Sequence, residues 1–494
     1  MNGTFIAQRA VVAVGASLAL VGVTTPAHGA PPERHASLLY FQDAHDVSPV
    51  LQDDGWRGGV ARVATVLDAQ RAQHEGSAAV FGGDLAGGTL FGGVYHGFPL
   101  VEAFNRMGVQ VANFGQHDFD FGVANTEELV KASDFPWVST NIVHTDGKPF
   151  LPQARTRTQR VGEVSVGYIG LTEDMGNTTT AGTLTDVDPV PAAKDAVRRL
   201  QEQDVDVIVA VTQISRDASQ RLLDEVPEIS AAFREENGYD SASEVTVRHD
   251  GRLVLAPEGN MGSVIRLDMT VGDDGVRLDH DVVEVDETVS PDPAMQEFED
   301  FYVADLERKL GEQIATTTAP LDRDNTRYLA ADAFRAWGAA DLGWMNSGGA
   351  RADIPGPEVR LRDAYSVLPF GNQVSVIEVT GAQLKEGVEQ SEGGDQARPS
   401  GFTFHYTPSA PAGARISELR LESGEPVDPN ATYSLAITNF NVQRIPAFAT
   451  AAVRTPAGIV DAEALVALIK ARTTLSPVTE PRVVRSTAAT ALNG

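Results

Sequence analysis

Short apolar runs alternate with helical segments through the first half of this chain, and no other feature narrows its fold as far. Ser37-Leu-Leu-Tyr-Phe41 reads as a strand, Val60 to His74 as a helix, Ala78-Ala-Val-Phe81 as a second strand and Phe98 to Met107 as a second helix. Val164 to Ile169 and Val205 to Val211 continue the pattern as buried strands. Alternation of this kind predicts a layered α/β architecture.

At 494 residues the chain is too long for one hydrophobic core, and 42% apolar content is ordinary for folded protein, so two domains are expected. The charged stretch Glu284 to Asp324 holds a helical segment, Ala294 to Glu312, after Pro291 and Pro293, and reads as the connection. A second α/β unit follows from about Arg327 to Arg472, and then a polar tail. There is no internal repeat. At the front, Arg9 precedes the apolar run Ala10 to Val23 and the small residues up to Ala30, as in a secretory signal peptide. The expected segments are therefore 1–30 (leader), 36–285, 286–324, 325–475 and 476–494, in an exported or cell-envelope protein with no stable membrane span.

A formal charge of −29 repels nucleic-acid polymers and anionic membranes at long range. Small anions can still be held by local metals or arginines. With no cysteine, any metal must be bound by carboxylate, imidazole, amide or water.

The chemistry falls at the strand ends. Asp43-Ala44-His45 follows the first strand, where a carboxylate and an imidazole two residues apart can reach one ion. Gly82-Gly83-Asp84 follows the second, with glycines that let the backbone turn beneath an ion. Gln116-His117 follows a third strand, with Asp120 close behind.

The run Asn113 to Gly122 resembles the Gly-Asn-His-Glu/Asp-Phe-Asp signature of the calcineurin-like metallophosphoesterases. The order Asp43-x-His45, Gly83-Asp84, Gly115 to Asp120 and then Asn141 resembles the N-terminal domain of the secreted 5'-nucleotidase and UDP-sugar hydrolase family. In the second half, Asn346-Ser-Gly-Gly-Ala-Arg351, Leu368-Pro-Phe-Gly-Asn372 and Val379-Thr-Gly-Ala-Gln-Leu384 resemble that family's C-terminal motifs. The resemblance implies a four-layer metallophosphoesterase sandwich over 36–285 and an α/β substrate-binding 5'-nucleotidase domain over 325–475.

It further implies roles. Asp43, His45 and Asp84 would hold a first divalent metal, with Asp84 bridging to a second near Gln116 and Gln213; whether one or two ions bind, and whether Mn, Mg, Zn or Ca, stays open. Such ions would activate a water for phosphate-ester hydrolysis. His117, paired with Asp120, would act on charge developing in the reaction. Asn346, Arg351, Asn372 and Phe440 would bind the substrate, a nucleotide or another small phosphate ester. Oligomeric state is left open.

Departures qualify these expectations. Gln116 stands where the family has a ligand Asn, and Thr212-Gln213 where it has a histidine. The family's Gly-Gly-His-x-His block is missing after Pro227-Glu-Ile229, where Glu235, Glu236, Asn237 and Asp240 offer only oxygens. His249 lies in a turn sequence, Arg-His-Asp-Gly. The aromatic expected before Ser400 is absent from Asp395 to Pro399, and the loop after Phe440 lacks the family's glycines. Two functions therefore remain: a secreted metal-dependent phosphohydrolase, or a catalytically impaired homologue that binds metal or nucleotide.

Overall fold

A computed structural model describes residues 32–486 apart from 53–54, 179, 181, 236–240 and 393–395, with the backbone alone at 177 and 456–458. The leader, the end of the tail, Glu236, Asn237, Asp240 and Asp395 lie outside the described residues.

The first half is built on two six-stranded sheets. In one, Arg34–Phe41, Ser77–Phe81, Val109–Asn113 and Trp137–Val138 run parallel, and Ser263–Gly272 pairs antiparallel on the other edge of the first strand. In the other, Val164–Thr172, Val207–Gln213, Ala231–Phe233 and Leu253–Ala256 run parallel. Successive strand side chains point to opposite faces. Leu38 and Tyr40 accordingly face the second sheet, where Val166, Tyr168, Val209 and Phe233 meet them. Tyr40 stacks on Phe233 with ring centroids 4.2 Å apart. Leu39 and Phe41 point the other way, onto helices Val60–Gln73 and Phe98–Met107. Ile208 and Ala210 likewise turn outward onto helices Pro189–Gln201 and Arg216–Glu225. Helix, sheet, sheet, helix is the four-layer sandwich expected from the sequence, and burial on both faces explains the near-continuous apolar runs.

The second half centres on a five-stranded sheet in the order Ala397–Ser400, Leu342–Asn346, Thr432–Thr438, Gln373–Thr380, Ala452–Val460. Helices Arg323–Gly338 and Asp461–Arg472 cover one face. Helix Gly381–Ser391 and the strand Phe402–Tyr406 pack with the other. Thr380 caps the helix Gly381–Ser391 through a capping box with Gln383.

Helix Pro293–Leu310 links the halves: at its start Met295 and Phe298 enter the first core and Glu299 accepts the Ala61 N–H at 2.7 Å, while near its end Glu307 pairs with Arg362 of the second half. The next strand, Gln313–Thr317, already pairs within the second half. Among the described residues no helix is long and apolar enough to cross a membrane.

Candidate active site between the two halves

Parallel strands present their carboxyl ends at one edge, and the loops there carry the acidic residues. Asp43 lies two residues beyond Phe41 and Asp84 three beyond Phe81. The loops are stitched together: Asp43 N–H donates to Gly83 O at 3.1 Å and Ala44 N–H to Asp84 O at 3.0 Å. Asp43 (φ 53) and Asp84 (φ 65) both adopt left-handed backbone. Such conformations cost about 1–3 kcal/mol at non-glycine residues and cluster at functional sites. Gly115 lets the next loop close over them, because a Cβ there would lie 2.0 Å from Asp84 Oδ1.

Asp118 fixes this arrangement. It accepts the N–H of Gly115 (2.8 Å), Leu85 (2.9 Å) and Asp84 (3.1 Å), and burial still pushes its carboxyl up to about 6. Burial raises Asp84 as well, although its Oδ1 accepts the His117 N–H at 2.7 Å.

His45 is buried, and its Nδ1 lies 2.9 Å from Gly87 O, so Nδ1 carries the proton and Nε2 the lone pair. Burial and the nearby His117 lower its pKa to about 3, which keeps the ring neutral. His117 goes the other way. Burial opposes its charge, but Asp120, with Oδ2 2.8 Å from Nδ1, and Asp84 outweigh burial and raise it to about 9. The two imidazoles stand edge to face with centroids 5.5 Å apart.

Gln213, at the end of strand Val207–Gln213, points its Nε2 at Asp43 Oδ1 (3.4 Å), and its buried Oε1 has no hydrogen-bond partner. Gln116 and Gln213 share a small cavity with Glu235, Glu173 and Asp174. Among the described residues no three His, Asp or Glu side chains stand close enough to hold an ion as placed. The donor chemistry nevertheless suits divalent cations: a neutral imidazole tied through its second nitrogen to a carbonyl, buried carboxylates that gain from a counter-charge, and the orphaned amide oxygen of Gln213.

His249 is excluded from this edge. Its turn joins Glu244–Val247 to Leu253–Ala256, and the latter strand runs parallel to Ala231–Phe233, so the turn sits at the end of the sheet away from Gln213. Asn141 is structural, binding the backbone of Thr172 and Val187.

Across the edge lies the second half. A cavity of about 220 Å³ is lined by Gln116, His117 and Asp120 on one side and by Asn346, Arg351, Asn372 and Phe440 on the other. Asn346 ends its strand and accepts from Asn441 Nδ2 at 3.0 Å. Asn372 is held through its carbonyl, which receives the Asp461 N–H at 2.8 Å.

Three contributors had no role in the sequence reading. Phe370 lies parallel to His117, centroids 5.8 Å apart, with the Arg351 guanidinium 5.7 Å from its ring. Arg444 places its guanidinium 5.0 Å from the Phe440 ring. Asp118 is the third. Phe370 and Asp118 sit inside the motifs quoted above and could have been found there; nothing in the sequence around Arg444 signals its position.

Comparison with known proteins gives these two halves a context. The 5'-nucleotidase C-terminal domain family matches residues 303–450. The trifunctional nucleotide phosphoesterase protein YfkN of Bacillus subtilis (strain 168) is 26% identical over 77% of this chain and 30% of its own length. A snake venom 5'-nucleotidase of Gloydius brevicauda is 23% identical over 82% of this chain and 80% of its own length. The chain spans about a third of the length of the first curated relatives it matches. Among solved structures, a 5'-nucleotidase precursor from Thermus thermophilus superposes with a TM-score of 0.75 at 23% identity, covering 91% of this chain and 99% of its own. The chain thus carries a 5'-nucleotidase C-terminal domain over residues 303–450 and shares its fold across both halves with the Thermus 5'-nucleotidase precursor.

Proposed function

We propose that the chain is a metal-dependent phosphohydrolase that cleaves small phosphate esters, nucleotides foremost, in the cleft between its halves. One observation carries this reading: the His117–Asp120 pair faces Arg351, Asn346 and Asn372 across a single cavity. Divalent cations held by Asp43, His45 and Asp84, with Gln116 and Gln213 completing the set, would polarise the phosphate and acidify a water. Arg351 offers a planar fork of donors to the phosphate oxygens. Asp120 holds His117 protonated and fixes its ring, so that Nε2 can donate to a phosphoryl oxygen or to the leaving group. Phe370 lies nearly parallel to that ring, with centroids 5.8 Å apart.

Partition at helix Pro293–Leu310, with the helix in the first domain, belongs to the same proposal, as do export through the apolar leader and action on UDP-sugars. A second reading, a module that binds metal or nucleotide without turnover, draws on one observation: amides stand at the second metal position, and no ready-made ligand triad exists among the described residues. Phosphate release from AMP, GMP, CMP, UDP-glucose and an aryl phosphate, each with Mg, Mn, Zn or Ca, separates the two. Release in at least one metal supports the hydrolase; binding without release from every substrate supports the module.

A further inference from the structure

Directly behind the cleft lies a carboxyl that no step proposed above uses. Asp461, the first residue of helix Asp461–Arg472, is 1% exposed. Its neighbour Val460 pairs with Gln373 at the end of two antiparallel strands. That register brings Asp461 beside Asn372, whose carbonyl receives the Asp461 N–H at 2.8 Å. Asn372 in turn lines the cavity it shares with His117, Arg351 and Phe440. It thus stands between a buried acid and the proposed substrate site.

An aspartate in the first turn of a helix is favoured by the helix dipole, but it serves that end while exposed to water. Burial is the unfavourable choice, and it pushes this carboxyl up to about 7. Ala462 N–H donates to Oδ1 at 2.8 Å, whereas the buried Oδ2 has no hydrogen bond among the described residues. Asn372 acts on the same carboxyl through its backbone and through its side chain, and each favours the charged form. An ionised carboxylate can only accept hydrogen bonds, so the end of the amide that it attracts is Nδ2. Oδ1 of Asn372 is then left for the cleft, as an acceptor for an N–H or O–H of the bound molecule.

We infer that Asp461 is a positioning residue for the cleft, holding the Asn372 amide with its nitrogen turned inward and its oxygen toward the substrate. This rests on the phosphohydrolase reading for Asn372 as a substrate contact. Asp461 itself touches no substrate; it acts through Asn372.

A double-mutant cycle tests it, read in two ways on the full chain at pH 8. The first is AMP affinity by calorimetry in the presence of Mn, in a His117→Ala background that removes turnover. Asp461→Leu should weaken AMP about fivefold to tenfold with Asn372 native, and by less than about twofold once Asn372 is Ala, because the two residues act as one unit. Asp461→Asn, which keeps the shape and relieves the buried charge, should weaken AMP as well while raising thermal stability, a combination that a merely structural role does not produce. It also carries the cycle if Asp461→Leu does not fold. The second reading needs no ligand: the side-chain amide resonances of Asn372, assigned by their loss in Asn372→Ala on Asn-labelled protein, should move upfield when Asp461 is replaced. Resonances that stay in place, or a loss of affinity equal in both Asn372 backgrounds, overturn the inference. Moving resonances in a protein that does not bind AMP uphold the positioning of Asn372 and count instead against the phosphohydrolase reading.

Discussion

Asp118 receives the backbone N–H of Asp84 at 3.1 Å, so a residue that points away from the cleft sets the loop that points into it. The same carboxylate takes the N–H groups of Leu85 and Gly115 and thereby joins the loops after two adjacent strands. Removing it strands three buried donors. Asp118→Ala should destabilise the fold by about 2–4 kcal/mol, since an unsatisfied buried group costs about 1–3 kcal/mol and the loops can relax in part. Asp118→Asn, which keeps one acceptor oxygen, should lose less. Chemical denaturation of both variants measures this; equal stability of Asp118→Ala and the native protein would remove Asp118 from that role.

Metal binding should respond in opposite directions to two substitutions. Asp84→Ala deletes the carboxylate at the junction of the two proposed metal positions and should abolish binding of the divalent cation. Gln213→His puts an imidazole beside Asp43, and because imidazole binds zinc-like ions better than a neutral amide does, Zn affinity should rise by about tenfold or more while Mn changes less. Titration calorimetry reads both. Unchanged affinities in the two variants would place the metal elsewhere.

Buried Asp461 gives a pH signature remote from the strand-end carboxylates. Burial raises its pKa from 3.8 to about 7 against hydrogen bonds from Ala462 N–H and the Asn372 side chain. The native state thus keeps a proton that the unfolded chain has released, and stability falls as pH rises from about 4 to about 7. Asp461→Asn removes this penalty. At about 1.4 kcal/mol per pKa unit the variant should gain up to about 4 kcal/mol at pH 8, and nothing from this source at pH 4. Thermal unfolding at the two pH values decides; a gap that does not widen with pH would show that Asp461 is charged at no cost.

Helix Pro293–Leu310 should be needed for the first half to fold alone. Met295 and Phe298 together contribute roughly 3–6 kcal/mol of apolar burial, a large share of a domain's net stability. A fragment of residues 32–311 should give a cooperative unfolding transition, and one of residues 32–284 should not. Equal cooperativity in both would assign the helix to the second half.

The sandwich was legible because its parallel strands are buried on both faces, which wrote Leu38 to Phe41 and Val207 to Val211 as unbroken apolar runs. Helix ends were also legible: Phe98–Met107 falls as expected, and the expected Val60 to His74 runs one residue past the observed Val60–Gln73. The strand Val205 to Val211 was shifted, since Val205 precedes it and the polar Thr212 and Gln213 extend it; their backbones pair with Leu171 and Thr172 even though their side chains are not apolar. Periodicity cannot register such residues. In the site, Asp43, His45, Asp84, His117 and Asp120 stood out because each follows a strand within a few residues. Arg444 and Phe370 did not, because their contribution arises from two halves brought together across a cleft. His249 was ambiguous in sequence and is settled by strand direction alone.

The central claim is that a phosphate ester lies between His117 of one half and Arg351 of the other, and steady-state kinetics on His117→Ala and Arg351→Gln tests it most directly. A group that acts on developing charge lowers kcat, whereas a group that mainly binds the ground state raises KM. With AMP and the best metal, His117→Ala should lose about 10²–10⁴ in kcat at nearly constant KM. Arg351→Gln should raise KM several-fold with a smaller change in kcat. Phosphate release by His117→Ala equal to that of the native protein would contradict the claim.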